Sequence, residues 1–206
     1  MTDLIFIKLG GSLITDKQRD AHARLPVIQD LAAQLRRALD RLEEAGERRP
    51  KFLLGHGSGS FGHAAAIRHG FLEGPAVTPT AAAQVARAAS RLNGLVVDAL
   101  LDAGVPAWTW SPSSVVRSRD GRPRGGGLGS LVEALDADVV PVVYGDVLID
   151  RPRRAAIAST EAVVTYLRPR LERRGYALRS LLWLGETDGL PHPAIALAVD
   201  ALDGIP

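Results

Sequence analysis

The chain alternates short apolar runs with longer segments in which apolar residues recur at helical spacing. Each run is short enough for one buried strand. The runs are residues 4–9 (LIFIKL), 51–54 (KFLL), 105–110 (VPAWTW), 138–146 (DVVPVVYGD) and 178–186 (LRSLLWLGE). Continuous apolar runs are typical of strands that are buried on both faces, so the pattern predicts a mostly parallel sheet.

Helices are predicted between these strands. Residues 26–45 place apolar side chains on one face and are followed by Gly46, which suits a C-terminal cap. Thr78-Pro79 begins a long helix that ends at Gly104. A short helix is predicted around 128–135 and another from Ser159 to about 175, with Pro169 as a kink or early stop. Residues 147–157 predict a small hairpin, and the segment 117–127, rich in arginine and glycine, predicts a loop.

The alternation β-α-β-α-β-α-β-α-β predicts an α/β fold in which helices cover both faces of the sheet.

Bulk properties narrow the class of protein. The chain has 206 residues, 46% of them hydrophobic, and no apolar stretch of about 18 residues, which argues against a membrane span. We read no secretion signal near Asp3, so the default location is the cytoplasm. A net charge of +2 does not demand a nucleic-acid partner.

The absence of cysteine excludes disulfides and thiolate metal sites, and the five histidines show no metal-ligand spacing. We therefore predict no zinc site. No G-x-S-x-G turn or Walker A loop is present. Gly57-x-Gly59-x-x-Gly62 does match the dinucleotide pattern, but Glu73 lies too near and is not at a strand end, so a Rossmann site loses support.

Three predicted strands end in turns that contain glycine: KLGGS, GHGSGSFGH and VYGD. Ligands of such sheets gather at the carboxyl ends of the strands, and successive backbone N–H groups in glycine turns hold anions. The three turns together suggest a ligand with several phosphates, or two phosphorylated ligands face to face. Any one turn alone is more often a simple chain reversal.

Lysine is rare here: Lys8, Lys17 and Lys51 are the three lysines among 25 basic residues. Lys8 and Lys17 flank the first glycine turn. The lysine ammonium is a compact, mobile charge, and the planar guanidinium of arginine does not replace it. Phosphoryl transfer needs cations around the transferring group, so both lysines could converge on it. His63 could donate a hydrogen bond to a phosphate, although a surface or helix-capping role is the alternative. Glu161, at the start of a predicted helix, either has a catalytic role or only interacts favourably with the helix dipole.

The series KLGGSLITDK, HGSGSFGH and VPVVYGDVLID resembles the isopentenyl phosphate kinases of the amino acid kinase superfamily over roughly residues 4 to 190. The resemblance implies an open three-layer αβα sandwich, usually a homodimer. It also implies transfer of the γ-phosphate of ATP, with Mg²⁺, to isopentenyl phosphate.

The resemblance further implies roles for individual residues. Lys8, Lys17 and His63 would act on the phosphates, and Glu161 would take the place of an aspartate that orders the lysines. The acceptor phosphate would be held by Gly57, Ser58, Gly59, Gly62, Gly145 and Asp146. The nucleotide would be held by Gly10, Gly11, Ser12, Thr187, Asp188 and Gly189. The isoprenoid tail would lie against the helix near residues 81–85.

Two departures from the family pattern affect the nucleotide side. Ser159-Thr160-Glu161 replaces Ser-Gly-Asp, and no lysine follows Lys51, where the family has a Gly-Gly-Met-x-x-Lys region. We expect one domain over residues 1–206, with a complete acceptor half and a reduced nucleotide part. Two alternatives stay open: a kinase for another phosphomonoester, of the furan phosphate type, or a non-catalytic phosphate-binding or regulatory homologue.

Overall fold

A five-stranded parallel sheet forms the centre of the computed structural model, which describes residues 1–44, 49–71 and 77–185. Its strands, numbered along the chain, are β1 (Thr2–Leu9), β2 (Lys51–His56), β3 (Ala107–Thr109), β6 (Val140–Tyr144) and β9 (Tyr176–Leu184). They lie in the order β3-β6-β2-β1-β9, and every neighbouring pair is parallel. The five predicted strands and the parallel sheet are confirmed.

The described helices are α1 (Gly11–Ile14), α2 (Leu25–Glu44), α3 (Gly59–Arg68), α4 (Pro79–Asp102), α5 (Pro112–Val115), α6 (Gly129–Asp136) and α7 (Thr160–Glu172). The predictions of α2, α4, α6 and α7 are confirmed. The Thr78 hydroxyl caps α4 by accepting a hydrogen bond from the Ala81 amide, and Gly104 follows the helix with a φ of +80°. None of the helices in the described part of the chain is long and apolar enough to cross a bilayer.

Alternate residues of β1 separate two hydrophobic cores. Ile5 and Ile7 pack into a core with α2 and α4, whereas Leu4 and Phe6 pack into a second core with α6 and α7. Because successive side chains of a strand point to opposite faces, this division places helices on both sides of the sheet. The architecture is the three-layer αβα sandwich that the sequence resemblance implied.

A second sheet consists of β5 (Arg122–Arg124), β4 (Arg117–Arg119), β7 (Asp146–Arg151) and β8 (Arg154–Ala158), in that order. The predicted hairpin is β7–β8 and is confirmed. The prediction of a loop over 117–127 is wrong, since β4 and β5 form an antiparallel hairpin. Asp120 and Gly121 have φ angles of +52° and +78°, as a two-residue hairpin turn requires.

The glycine-rich stretch after β2 is largely helical rather than a loop. Helix α3 begins at Gly59, so His63 lies on a helix and not in a glycine loop. Pro169 does not stop α7, which continues to Glu172. Leu167 and Leu171 are buried on either side of the proline, and their burial offsets its cost to the helix. Gly46 lies outside the described residues.

Candidate active site

The three glycine turns meet at one edge of the central sheet. Strands β6, β2 and β1 are parallel neighbours, so their carboxyl ends lie side by side. The Gly57 amide donates to the Leu9 carbonyl (3.1 Å), and the Gly145 amide donates to the His56 carbonyl (3.1 Å). The structure therefore brings together the turns whose contact the sequence predicted.

The first two turns touch through their backbones, which leaves no room for side chains. A Cβ added to Gly11 would lie 2.7 Å from the Gly59 nitrogen, and one added to Gly57 would lie 3.0 Å from the Gly11 nitrogen. Gly59 has a φ of +50°, and a Cβ there would lie 2.2 Å from the Thr15 hydroxyl oxygen. Glycine is needed at this junction because any side chain would push the two turns apart.

Thr15 fastens this junction, a role that sequence reasoning missed. Its side chain is fully buried. Its hydroxyl donates to the Gly11 carbonyl (2.7 Å) and accepts from the Ser60 amide (2.9 Å). The threonine thus connects the turn after β1 to the first turn of α3. A lone threonine in a predicted turn carries no sequence signal that distinguishes this role.

Lys8 lies near the carboxyl end of β1 between an acid and an aromatic ring. Its ammonium forms an ion pair with Glu161, and its Nζ lies 4.7 Å from the centre of the Trp183 ring. Register explains the second contact, since Lys8 is opposite Trp183 in the β1–β9 pair. Trp183 was not among the predicted site residues.

Glu161 is positioned by the first turn of α7. The Ser159 hydroxyl caps this helix by accepting from the Ala162 amide (3.2 Å). Burial alone would raise the pKa of Glu161, but the hydrogen bond and charge of Lys8, together with hydrogen bonds from the Glu161 amide and Ser159, outweigh it and lower that pKa. The carboxylate therefore stays ionised and holds the Lys8 ammonium in place, as expected for a residue that orders a lysine.

Lys17 lies in different surroundings from Lys8. It is exposed, on a loop that the Thr15–Ala23 bridge closes. The loop is tied to α3 by the Asp20–Arg68 ion pair (2.6 Å). Among residues 1–44, 49–71 and 77–185, the Lys17 side chain makes no ion pair, so its charge is free to meet a ligand. Convergence of Lys17 with Lys8 stays a prediction.

A cavity of about 150 Å³ lies beside the second and third turns. Its lining combines polar and apolar residues. The predicted acceptor-side residues in it are Ser58, Gly62, His63, Gly145 and Asp146, and the apolar ones are Ala66, Val85, Ala89, Val147 and Ile157. Such a cavity suits a ligand with a polar head and a short hydrocarbon tail.

Asp146 is almost fully buried at this cavity, and its carboxylate is already engaged. It accepts hydrogen bonds from the amides of Ser113 (2.9 Å) and Val147 (2.8 Å) and from the Ser111 hydroxyl (3.4 Å). Burial, with the nearby Asp146 charge, raises the pKa of Tyr144 to about 12. Asp146 therefore shapes the wall of the cavity, and Tyr144 stays a neutral phenol.

His56 supports the site from beneath. Its Nε2 lies 3.1 Å from Asn93 Oδ1 and its Nδ1 lies 3.1 Å from the Gly57 carbonyl oxygen, its ring stacks on Tyr144, and burial lowers its pKa, which favours the neutral ring. This agrees with the interpretation of His56 as structural.

On the nucleotide side, the Gly10 amide donates to the Leu184 carbonyl (2.7 Å), and Ser12 is half-buried in α1. Thr187, Asp188 and Gly189 lie outside the described residues.

Residues 3–169 match the model of the amino acid kinase family. The isopentenyl phosphate kinase of Haloferax volcanii is 33% identical over 208 residues, which cover 98% of this chain and 79% of that protein. The isopentenyl phosphate kinase of Methanocaldococcus jannaschii is 30% identical over 168 residues, or 80% of this chain. The match spans 64% of the Methanocaldococcus protein, so the chain covers less than two thirds of that relative.

Solved structures agree with the sequence matches. An isopentenyl phosphate kinase structure superposes with a TM-score of 0.77 at 27% identity, covering 91% of this chain and 75% of the other. The product complex of the Thermoplasma acidophilum enzyme gives 0.71 at 27% identity, with 91% and 72% covered. Giardia carbamate kinase, at 13% identity and a TM-score of 0.60, shares the fold. The chain belongs to the amino acid kinase family, and the relatives that cover most of it are isopentenyl phosphate kinases.

Proposed function

We propose that this protein transfers the γ-phosphoryl group of ATP to a small phosphomonoester, and that its acceptor is isopentenyl phosphate. The cavity beside His63 carries the proposal, because it joins phosphate-binding groups to an apolar wall. The named activity of the relatives supports the same acceptor.

The acceptor half would bind the two ends of the substrate differently. His63, on the exposed side of α3, donates a hydrogen bond to the monophosphate, next to Ser58 and Gly62. The five-carbon tail packs against Val85, Ala89 and the other apolar residues of the cavity. About 0.8 kcal/mol per buried methylene would favour an isoprenoid over a more polar ester.

The donor half would hold the nucleotide phosphates at the first turn. The close contact of Gly11 with Gly59 leaves backbone and no side chain at this junction, which lets phosphate oxygens approach. Bound ATP supplies the transferred phosphoryl group, and Mg²⁺ neutralises its charge. Among the described residues, His, Asp and Glu side chains form no group that could cage a metal, so the ATP phosphates themselves would supply most Mg²⁺ ligands.

In the transfer, an oxygen of the acceptor phosphate attacks the γ-phosphorus. The bond from that phosphorus to the bridging oxygen breaks, and ADP leaves with the electron pair. Lys8 and Lys17 offset the negative charge that gathers on the transferring group. Glu161 fixes Lys8 by an ion pair, while Lys17 is carried by the exposed loop that the Thr15–Ala23 bridge closes.

The proposal also places the protein in the cytoplasm, where ATP is available, as a homodimer. Light scattering after gel filtration tests the assembly, since a monomer at micromolar concentration would contradict the homodimer.

The activity is tested by ADP release from the full chain with ATP, Mg²⁺ and isopentenyl phosphate. Isopentenol, which lacks the phosphate, is the matched control acceptor and should give no release. Lys8→Ala should abolish the signal. Release with a different monoester only would point to another acceptor. Binding of isopentenyl phosphate without turnover, unchanged by Lys8→Ala, would establish a binding homologue instead.

A further inference from the structure

The second sheet carries an unusual concentration of arginine on its exposed positions. The residues are Arg117 and Arg119 on β4, Arg122 and Arg124 on β5, Arg151 on β7, and Arg153 and Arg154 at the β7–β8 turn. All are exposed. We call this set the arginine face.

Strand register sets these cations directly against one another. Arg117 is opposite Arg124 and Arg119 is opposite Arg122 in the antiparallel β4–β5 pair. Arg119 is also the partner of Arg151 in the parallel β4–β7 pair. Like charges directly across a sheet destabilise it, so the arrangement costs free energy unless anions neutralise it.

In the part of the chain that the structure describes, the facing arginines of this sheet make none of the ion pairs that some other arginines of the protein make. Arg36, Arg68 and Arg179 pair with Asp40, Asp20 and Asp3. By contrast, within the described ranges the guanidinium groups of Arg117, Arg119, Arg122, Arg124 and Arg151 make no ion pair.

Asp150 holds the arginine face in a fixed shape. It is buried beneath the sheet and accepts hydrogen bonds from the Ser118 hydroxyl (2.6 Å), the Gly121 amide (2.8 Å) and the Arg153 amide (3.1 Å). One carboxylate therefore fixes the two neighbouring turns that follow β4 and β7. Rigid placement lowers the entropy lost when arginine side chains close on a ligand.

Two concave sites open on the arginine face. One, of about 620 Å³, is lined by Arg119, Asp120, Arg122, Arg124 and Arg153. The other, of about 770 Å³, is lined by Arg117, Ser118, Arg119, Asp120, Ile149, Arg151 and Pro152. Arg119 and Asp120 line both, so the two sites adjoin. Volumes of this size suit a small molecule.

We propose that the arginine face binds a small anion that carries two or more linked phosphates. Planar guanidinium groups bind phosphate oxygens in pairs, and several of them together match the multiple charges of a diphosphate group. A net charge of +2 for the whole chain and concave rather than extended basic surfaces favour a small ligand over nucleic acid.

This site is separate from the acceptor cavity but shares strand β7 with it. Val147, near the start of β7, lines the acceptor cavity, and Arg151 ends the strand on the arginine face. Arg151 lies four residues beyond Val147, about 13 Å along the extended chain, and Ile149, which lines the larger concave site, lies between them. The arginines therefore lie beyond the acceptor cavity along β7.

Calorimetric titration of the full chain with inorganic diphosphate tests the proposal. The variant is Arg119→Gln/Arg122→Gln, which removes one facing pair. Its control is Arg173→Gln/Arg174→Gln, which removes the same charge from exposed residues at the end of α7. We expect the first pair to weaken diphosphate binding by about tenfold or more and the control pair to leave it within about twofold.

Asp120→Asn supplies a second test of opposite sign. Asparagine suits the same left-handed turn position, so the hairpin is kept while a repelling carboxylate is removed. We expect this variant to bind diphosphate several-fold more tightly.

Diphosphate can also occupy the active site, so each titration is repeated in Lys8→Ala. Binding lost in Lys8→Ala but unchanged in Arg119→Gln/Arg122→Gln would overturn the proposal without touching the kinase assay. A single-stranded DNA or an anionic vesicle that binds these arginines far more tightly than diphosphate would also overturn it. Failure of ADP release with isopentenyl phosphate would leave the diphosphate result unaffected.

Discussion

Lys8 and Trp183 face each other across neighbouring parallel strands, with the lysine nitrogen 4.7 Å from the centre of the indole ring. The ring covers one side of the ammonium, and Glu161 holds it by an ion pair. A lysine fixed in this way loses little conformational entropy when it meets a phosphate. The indole therefore acts as a positioning residue for the proposed transfer.

Replacing Trp183 with leucine should lower kcat by about two- to fivefold, because a partly exposed cation–π contact contributes about 0.5–1 kcal/mol. Trp183→Phe, which keeps an aromatic face, should recover most of the rate. Steady-state ADP release with isopentenyl phosphate measures both. Trp108→Leu is the control, since Trp108 is equally exposed but lies on β3 at the other edge of the sheet. Equal losses in the Trp183 and Trp108 variants would contradict the positioning role.

The Lys8–Glu161 pair should contribute a pH-dependent part of the stability. Burial works against ionisation of Glu161, but the hydrogen bond and charge of Lys8, with hydrogen bonds from the Glu161 amide and Ser159, together lower the pKa in the folded protein. A lowered pKa means that the contribution is complete above the ordinary value of 4.5 and is lost as the pH falls through the lowered one. Thermal unfolding from pH 7 to pH 3 should therefore show a steeper acid loss in the parent than in Glu161→Gln. If the melting temperatures of the parent and Glu161→Gln fell in parallel with pH, the ion pair would not contribute a pH-dependent part of the stability.

Gly11→Ala should destabilise the protein and remove ADP release together. A methyl group there would meet the Gly59 backbone at 2.7–2.8 Å, and backbone cannot move aside as a flexible side chain can. We expect a cost of about 1–3 kcal/mol in the free energy of unfolding by urea. Gly94→Ala is the matched control, because Gly94 lies inside α4 with nothing within 4 Å of an added Cβ. The free energy of unfolding of Gly94→Ala should rise by about 0.5–1 kcal/mol.

His63→Ala should impair the acceptor side while sparing the nucleotide. Loss of a charge-assisted hydrogen bond to the monophosphate should raise the acceptor KM or lower kcat by about tenfold or more. Binding of ATP, measured by calorimetry, should stay unchanged. His69→Ala is the control, since His69 lies just after the same helix and does not line the cavity. An equal loss of ATP affinity in His63→Ala would refute the assignment.

The sequence predicted elements whose signals are local. The apolar runs gave all five strands of the central sheet, and Thr78-Pro79 and Ser159 gave correct helix starts, because capping and burial act on neighbouring residues. The start of α3 was missed because glycine disfavours helices. There the burial of Phe61, Ala65 and Ala66 outweighs propensity.

Contacts between distant segments were harder to predict. The glycine turns could be placed at one edge from parallel topology alone, but the approach of Gly11 to Gly59 depends on the packing of α1 against α3. Trp183 meets Lys8 only through the β1–β9 register, which one sequence does not specify. The arginine hairpin had a local signal, Asp120-Gly121, that the surrounding arginines and glycines concealed.

Asp150→Asn should loosen the sheet that carries the arginine face. Burial would raise the pKa of Asp150, but the hydrogen bonds from Ser118, Gly121 and the Arg153 amide outweigh it and lower that pKa. An asparagine keeps one acceptor oxygen and turns an N–H group toward donors, so we expect a loss of about 2 kcal/mol in urea unfolding at pH 7.

The sign of the pH dependence separates this effect from a simple packing defect. Because the pKa of Asp150 is lowered from its ordinary 3.8, its contribution is complete above that value and disappears as the pH falls through the lowered one. The difference in the free energy of unfolding between the parent and Asp150→Asn should therefore become smaller as the pH falls. Asp138→Asn is the control: Asp138 is exposed, pairs with Lys51, and has a φ of +60° that asparagine accepts. A difference in the free energy of unfolding that stays constant from pH 7 to pH 3 would show that the charge of Asp150 does not stabilise the two turns.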